Sequence, residues 1–269
     1  MPDSIDQRAR ALTGILAAHQ SVVVAYSGGV DSAYLLAVAG EVLGEHVVAA
    51  TAVSPSLPAA ERTQAAALAA ELGVRHVEVF TDEAERAAYR RNDADRCFHC
   101  KTALFDVLEP IAEAFAGATI AVGTVTDDLG DHRPGQRAAA ERGVATPLAD
   151  AGLAKADVRE LSRRRGLPTW DKPAAACLAS RVVYGLQVTP ARLSRIEQAE
   201  AWLRARLGAH ANVRVRDHGD IARVEVDRAL LDATVALADE LQGLLADLGW
   251  THATLDLGGF RSGSMNDHL

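Results

Sequence analysis

The feature that most constrains this chain is a short β-branched run that stops at a glycine pair and turns at once into a helical pattern. Ser21 to Tyr26 reads SVVVAY, and Ser27-Gly28-Gly29-Val30-Asp31-Ser32 follows directly. From Val30 to Leu43 apolar residues recur at helical spacing, and Gly44 ends the pattern. An apolar run without polar alternation suits a strand buried on both faces, as in a parallel sheet. The first half repeats the theme, with strands expected over His46 to Val53, Arg75 to Phe80 and Ala118 to Gly123. Helices are expected over Pro58 to Leu72 and from about His99 to Phe115, with an interruption at Pro110. Such alternation predicts βαβ units and an α/β fold with an open, doubly wound, Rossmann-like parallel sheet.

Past Asp127 the pattern lapses. Asp127 to Gly135 is polar and turn-rich, and short helices are expected over Gln136 to Arg142 and Lys155 to Arg165. Leu167 to Gly185 is long, irregular and carries Trp170, Cys177 and Tyr184, the mark of a functional loop. Beyond it, a helix over Ala191 to Leu207, strands over Asn212 to Arg216 and Ile221 to Val226, a helix over Arg228 to Leu248 and a strand over Thr251 to Leu257 predict a smaller C-terminal α+β domain. The expected division is 1–170, a loop or linker at 171–185 carrying Cys177, and 186–269.

Charge narrows the partners. With a net charge of −8, the chain is a poor non-specific binder of nucleic acid. Arg159, Arg163, Arg164 and Arg165 read as the solvated face and last turn of a helix. No stretch is long and apolar enough to cross a bilayer, and the acidic N-terminus does not read as a signal peptide. The expectation is a cytoplasmic protein with neither a membrane nor a nucleic-acid partner.

The glycine loop has a chemistry of its own. Adjacent glycines let backbone approach an anion closely, and helix-start N–H groups then point at it. Ser27 and Ser32 add hydroxyls, while Asp31 makes sense if Mg²⁺ bridges it to a phosphate. The loop lacks the Gly-Lys-Ser/Thr ending of a Walker A loop and the G-x-G-x-x-G of a dinucleotide fold. It resembles the S-G-G-x-D-S signature of the PP-loop ATP pyrophosphatases, of the adenine nucleotide alpha hydrolase-like fold. That resemblance implies ATP and Mg²⁺ as cofactors and adenylation of a carboxylate or carbonyl oxygen, with AMP as the later leaving group. Asp127 and Asp128, after the fourth strand, lie where such sheets bind ligands.

The 3 cysteines are Cys97, Cys100 and Cys177. The first two stand at a C-x-x-C spacing and could share a metal; Cys177 has to be brought by the fold. Three thiolates suit a 4Fe–4S cluster with one open iron, or zinc with His99, and a structural reading without metal stays open. Arg214 and Arg216 alternate with Val213 and Val215, so both face one side of a strand and suit a phosphate, unless that face is simply solvated. Ser180 and Arg181 lie next to Cys177 and suit a phosphate or the carboxylate being activated. Glu200, Glu225 and Asp232 could supply oxygens to a divalent ion, although each alone reads as a solvated surface charge. Trp170 and Tyr184 serve equally as stacking partners for a flat ring or as loop anchors.

Several segments together are similar to the LarE family of PP-loop sulfur transferases. They are Asp95-Arg96-Cys97-Phe98-His99-Cys100-Lys101, Asp127-Asp128 with Arg133-Pro134-Gly135, Thr146-Pro147-Leu148, and Gly166 to Pro173. Ala176-Cys177-Leu178-Ala179-Ser180-Arg181, Val213 to His218 and Phe260 to Asn266 complete the set, so the likeness runs from about residue 10 to 266. The resemblance implies adenylation of pyridinium-3,5-biscarboxylic acid mononucleotide and replacement of carboxylate oxygen by sulfur, on the way to the nickel-pincer nucleotide cofactor. It implies a homo-oligomer. Single-cysteine members spend the cysteine matching Cys177, which is left as dehydroalanine. Three-cysteine members, which Cys97 and Cys100 make this chain resemble, hold a 4Fe–4S cluster. A PP-loop enzyme that thiolates a tRNA base, a nucleotide sensor without turnover, and a structural zinc site are the other readings.

Overall fold

A computed structural model of the chain describes residues 4–129, 134–173 and 176–261. Two compact units make it up: Met1–Glu83 with Cys97–Ala175, and Ala84–Arg96 with Ala176–Leu269. Arg133 and the tail beyond Arg261, part of the motifs above, lie outside the described residues.

The first unit is a layered α/β structure. Helix α1 (Ile5–Ala17) starts at Ser4, whose hydroxyl accepts from the Gln7 N–H while Gln7 returns the bond, a reciprocal cap. There follow β1 (Val22–Ala25), α2 (Val30–Leu43), β2 (Val47–Val53), α3 (Ala59–Glu71) and β3 (Arg75–Phe80). After α4 (Ala87–Arg90), which belongs to the second unit, come α5 (Arg96–Ala114), β4 (Thr119–Ala121), α6 (Thr126–Leu129), α7 (Pro134–Glu141), α8 (Pro147–Asp150) and α9 (Lys155–Arg164). The strands form one sheet in the order β3-β2-β1-β4, every pairing parallel.

Side-chain alternation explains the apolar run of β1. Val22 and Val24 face a core built with Leu12 and Leu16 of α1, Leu35 of α2 and Val158 of α9. Val23 faces the opposite core, with Phe105 and Leu108 of α5. All three valines are essentially fully buried, so none of these three positions tolerates a polar side chain. The strand order also creates the ligand crevice. The chain leaves β1 for β2 on one side, while β4 lies on the other, and at such a reversal the carboxyl ends of two strands part. The loop from Ser27 leaves β1 there, and α6 with Asp127 and Asp128 follows β4.

Two helices depart from expectation. Helix α5 begins at Arg96 rather than about His99, so Cys97 lies inside it, one turn before Cys100, instead of ahead of it. It also runs through Pro110 without ending. Proline removes one backbone donor from a helix, and the buried face of Phe105, Leu108 and Ala112 holds the turns on either side.

In the second unit, α10 (Pro190–Leu207) is capped by Thr189, which accepts from Arg192 N, and carries Pro190 at its first position. Its buried face, Leu193, Ile196, Ala199 and Leu203, packs on β5 (Val213–Asp217). Strand β5 pairs antiparallel with β6 (Ile221–Val226), which pairs parallel with β7 (His252–Leu255). The single helix expected over Arg228 to Leu248 is instead a tight turn, α11 (Leu231–Ala236) and α12 (Ala238–Asp247). At the junction the Thr234 carbonyl takes the Leu237 N–H, three residues on rather than four, and the Thr234 hydroxyl donates back to Leu230 O at 2.7 Å. Among the described residues, no helix is long and apolar enough to cross a membrane.

Phe105 is fully buried between α5 and the sheet. Phe105→Ala is expected to cost about 3–5 kcal/mol, read as a shift in the urea unfolding midpoint of the first unit. A cost under about 1 kcal/mol would show that this face of the sheet is not packed as described.

Candidate active site

The glycine loop is folded tightly on itself. Gly28 has a φ of 70°, and a Cβ there would come within 2.9 Å of Ala65 Cβ and 3.3 Å of Ala65 Cα on α3. Ser27 and Ser32 hydroxyls are 3.1 Å apart, and Ser32 Oγ also receives the Ser27 N–H at 3.3 Å. Gly29 precedes α2, and no side chain caps the helix. The first-turn N–H groups of α2 therefore have neither an intrahelical partner nor a side-chain cap, the arrangement that binds phosphate.

Asp31 stands beside this helix end. Lys155 Nζ donates to its Oδ2, while Oδ1 is buried with no hydrogen-bond partner. Burial pushes the Asp31 carboxyl above the usual carboxylate range; Lys155 opposes the rise and the nearby Asp128 adds to it. An unbonded carboxylate oxygen with a second carboxylate nearby fits Mg²⁺, which takes one or two protein carboxylates plus phosphate oxygens. Asp127 accepts the Lys155 backbone N–H at 2.6 Å, and Asp128 accepts Val125 N at 3.1 Å. Gly123, after β4, passes so close that a Cβ there would lie 2.8 Å from Ser32 N. Two lysines given no role in the sequence reading complete the surroundings. Lys155 is one; Lys172 is the other, donating to Gly28 O at 3.2 Å and Gln64 Oε1 at 3.0 Å and pairing with Glu61 at 2.6 Å. They come from remote segments, so only the starting lysine of α9 gave any local hint.

Cys97 and Cys100 lie three apart on the first turn of α5, hence on neighbouring positions of one side. Both are free thiols, Cys97 exposed and Cys100 half-buried. Helix α7 ties this turn to the carboxylate segment within the first unit. A Cβ on Gly135 would meet Lys101 Cγ at 3.0 Å and Cys97 O at 3.5 Å, Arg137 lies over the Phe98 ring at 4.1 Å, and Gln136 donates to Asp128 O at 2.5 Å.

In the second unit, Cys177 opens a 3-10 turn over Leu178–Arg181. Its carbonyl accepts from Ser180 N (3.0 Å), Ser180 Oγ (2.8 Å) and Arg181 Nη1 (3.0 Å). Arg181 in turn makes a two-pronged, buried pair with Glu200, at 3.0 and 3.2 Å. Glu200 also takes Arg204 at 2.7 Å and Val215 N at 3.1 Å. Burial pushes the Glu200 carboxyl up, but Arg181, Arg204 and Arg214 together more than reverse this and leave it below the ordinary value. Arg214 is pushed down to about 10, by burial first and then by Arg181 and Arg204, with Glu200 opposing. Arg216 pairs with Glu225 at 2.8 Å and also donates to Ser180 O at 3.3 Å. Crowded guanidiniums at a desolvated spot suit an anionic group such as a phosphate.

Several expectations need correction here. Glu200 and Glu225 are not solvated: both are essentially fully buried and paired with arginine. Arg214 and Arg216 do not decorate an exposed face either, since all of β5 is buried. Asp232 is exposed on α11. Among the described residues, no group of three or more His, Cys, Asp or Glu side chains is gathered as a metal site. Trp170 is partly exposed, and Tyr184 lies under the Arg96 guanidinium at 5.6 Å. Arg163 and Arg164 pair with Glu160, as a solvated helix face would, but Arg159 instead holds Trp170 O and Lys172 O.

Residues 9–106 match the family model described as asparagine synthase, a PP-loop ATP pyrophosphatase domain. The chain is 38% identical over 251 residues to the pyridinium-3,5-bisthiocarboxylic acid mononucleotide synthase of Lactiplantibacillus plantarum, covering 93% of this chain and 90% of that protein. The chain belongs to this synthase family. An uncharacterised protein of Synechocystis is 43% identical over 91% of each chain, and one of Methanocaldococcus jannaschii 26% identical over 91% of this chain and 92% of its own. As a PP-loop member of the synthase family, the chain is an ATP-using enzyme.

Two outcomes follow. Gly28→Ala would force a Cβ into Ala65 at a left-handed φ, and is expected to weaken ATP binding about tenfold or more by calorimetry while Ala65→Gly in the same chain recovers part of it. Glu200→Gln would strand Arg181 and is expected to cost about 3–5 kcal/mol near neutral pH. Because the folded carboxyl is depressed, its stabilisation is present above the unfolded value of about 4.3 and lost as pH falls through the folded one. Urea unfolding at about pH 7 and about pH 3 should therefore show the variant's deficit shrinking in acid; an equal deficit at both would refute the charge assignment.

Proposed function

We propose that the protein is an ATP-dependent sulfurtransferase that converts carboxylates of pyridinium-3,5-biscarboxylic acid mononucleotide into thiocarboxylates, a step toward the nickel-pincer nucleotide. The observation that carries the ATP half is the uncapped start of α2 beside an unbonded oxygen of Asp31. The substrate comes from the synthase relative and from the family resemblance.

In this reading Ser27, Gly28, Gly29 and Ser32 hold the leaving pyrophosphate, with Mg²⁺ on Asp31 and support from Asp127 and Asp128. A substrate carboxylate oxygen attacks the α-phosphorus, forming an O–P bond as the bond to pyrophosphate breaks. The product is an acyl adenylate, in which AMP has replaced oxide as the leaving group. A sulfur nucleophile then adds to the carbonyl carbon and AMP departs with the former carboxylate oxygen. Arg214 and Arg216 receive the substrate phosphate, while Ser180 and Arg181 hold the segment next to Cys177 and orient the carboxylate. Their crowding is offset once a dianion is present.

Cys97, Cys100 and Cys177 have the donor chemistry for a 4Fe–4S cluster, three thiols of which two share one helix turn. Held there, the cluster would present a sulfide drawn from an outside source on its open iron, sparing the protein's own cysteines. The carboxylates Glu200, Glu225 and Asp232 serve a divalent ion in this reading only if substrate binding first releases the arginines from the two glutamates.

The test is AMP and pyrophosphate release with the dicarboxylate mononucleotide, ATP, Mg²⁺ and inorganic sulfide, using anaerobically reconstituted wild type and Cys97→Ala. Expected are AMP formation by both, iron–sulfur absorption and repeated thiocarboxylate formation by wild type alone, and a drop of roughly 10²-fold in AMP formation for Asp31→Asn. No AMP formation with this substrate would sink the proposal. Dehydroalanine at Cys177 in wild type, without iron–sulfur absorption, would replace the cluster by the sacrificial route.

A further inference from the structure

The segment Ala84–Arg96 lies far in sequence from the rest of the second unit, yet belongs to it. What it does there is grip one loop. Asn92 is fully buried and holds a left-handed φ of 60°, uncommon for any residue but glycine. Its Nδ2 lies 2.8 Å from Val183 O, 2.9 Å from Leu186 O and 3.2 Å from Val182 O. Its own carbonyl accepts Gly185 N at 3.2 Å. Two residues upstream, Arg90 O accepts Val188 N at 2.9 Å.

Arg96 extends the grip toward Cys177. Its Nη1 donates both to Asn92 Oδ1 and to Ala179 O, the latter at 2.9 Å, and its guanidinium faces the Tyr184 ring. Ala179 is in the 3-10 turn that Cys177 opens. The other flank of this turn is held by Arg181, through Cys177 O and Glu200. A buried arginine on each side thus fixes the four residues after Cys177, and neither arginine has freedom to swing. Arg96 also opens α5, the helix that carries Cys97 and Cys100.

We infer that Asn92 and Arg96 are positioning residues that set how the loop presents the Cys177 thiol. The inference rests on the reading of Cys177 as a sulfur-site residue for its functional meaning, but its physical content does not. A pure folding role for the pair would lower stability without altering thiol behaviour in molecules that remain folded. A positioning role alters the thiol first, because the carbonyl released by Arg96, Ala179 O, lies within the turn that Cys177 begins.

The experiment uses the full chain after anaerobic chelation and follows iodoacetamide labelling of Cys177 by peptide mass, in wild type, Arg96→Lys and Arg96→Gln. Folded variants are expected to label Cys177 about tenfold faster than wild type, with ATP affinity by calorimetry unchanged within about twofold. Thiocarboxylate formation is expected to fall about 10²-fold in kcat with KM for ATP unchanged. Wild-type labelling rates in folded variants, or loss of ATP affinity in parallel, would overturn the inference. Should neither variant fold, hydrogen exchange on wild type decides: slow amides over residues 178–188 support the clasp, and exchange at the rate of free peptide refutes it. Labelling needs no nucleotide substrate, so failure of the clasp and failure of the proposed reaction are separately visible.

Discussion

The burial of β1 on both faces is the constraint on which the first unit rests. Because Val22, Val23 and Val24 are all covered, the strand must be central, and its neighbours must be parallel strands reached through helices. Centrality puts the carboxyl end of β1 at the reversal of strand order. Everything chemical in that unit follows: the loop emerges where backbone donors face an opening, and β4 delivers Asp127 and Asp128 to the same edge. The helix end then needs no charged side chain of its own to hold a phosphate.

The second unit solves a different problem. It gathers arginines in a desolvated place and keeps them folded with few carboxylates, notably Glu200 and Glu225. Buried ion pairs gain little over apolar packing, so such a cluster adds little net stability, while removing one partner of a pair leaves an uncompensated buried charge. Arg214, held below the ordinary value of arginine by its neighbours, marks where a dianion would be most welcome.

The sheet, the glycine loop and the order of elements were legible because periodicity and glycine placement report on burial and backbone shape, both local properties. The fate of charged residues was not. Glu200 sits in a helix pattern where a glutamate normally faces water, and nothing nearby in sequence announces Arg181 beneath it. Lys155 and Lys172 reach the loop from 124 and 144 residues away in sequence. Asn92 escaped notice for a further reason: its partners are main-chain carbonyls, which leave no side-chain signature. The break between α11 and α12 is one tightened turn at Thr234–Leu237, and an apolar pattern carries no such information.

The contact between Gly28 and Ala65 carries a consequence for how this family can vary. The glycine loop and helix α3 are pressed together with no space for a methyl added at position 28. Position 28 is therefore closed although it has no side chain to lose, and the methyl that closes it belongs to Ala65. Drift at position 28 waits on position 65. In the proposed reading, a substitution on the helix behind the loop would alter phosphate binding through packing alone.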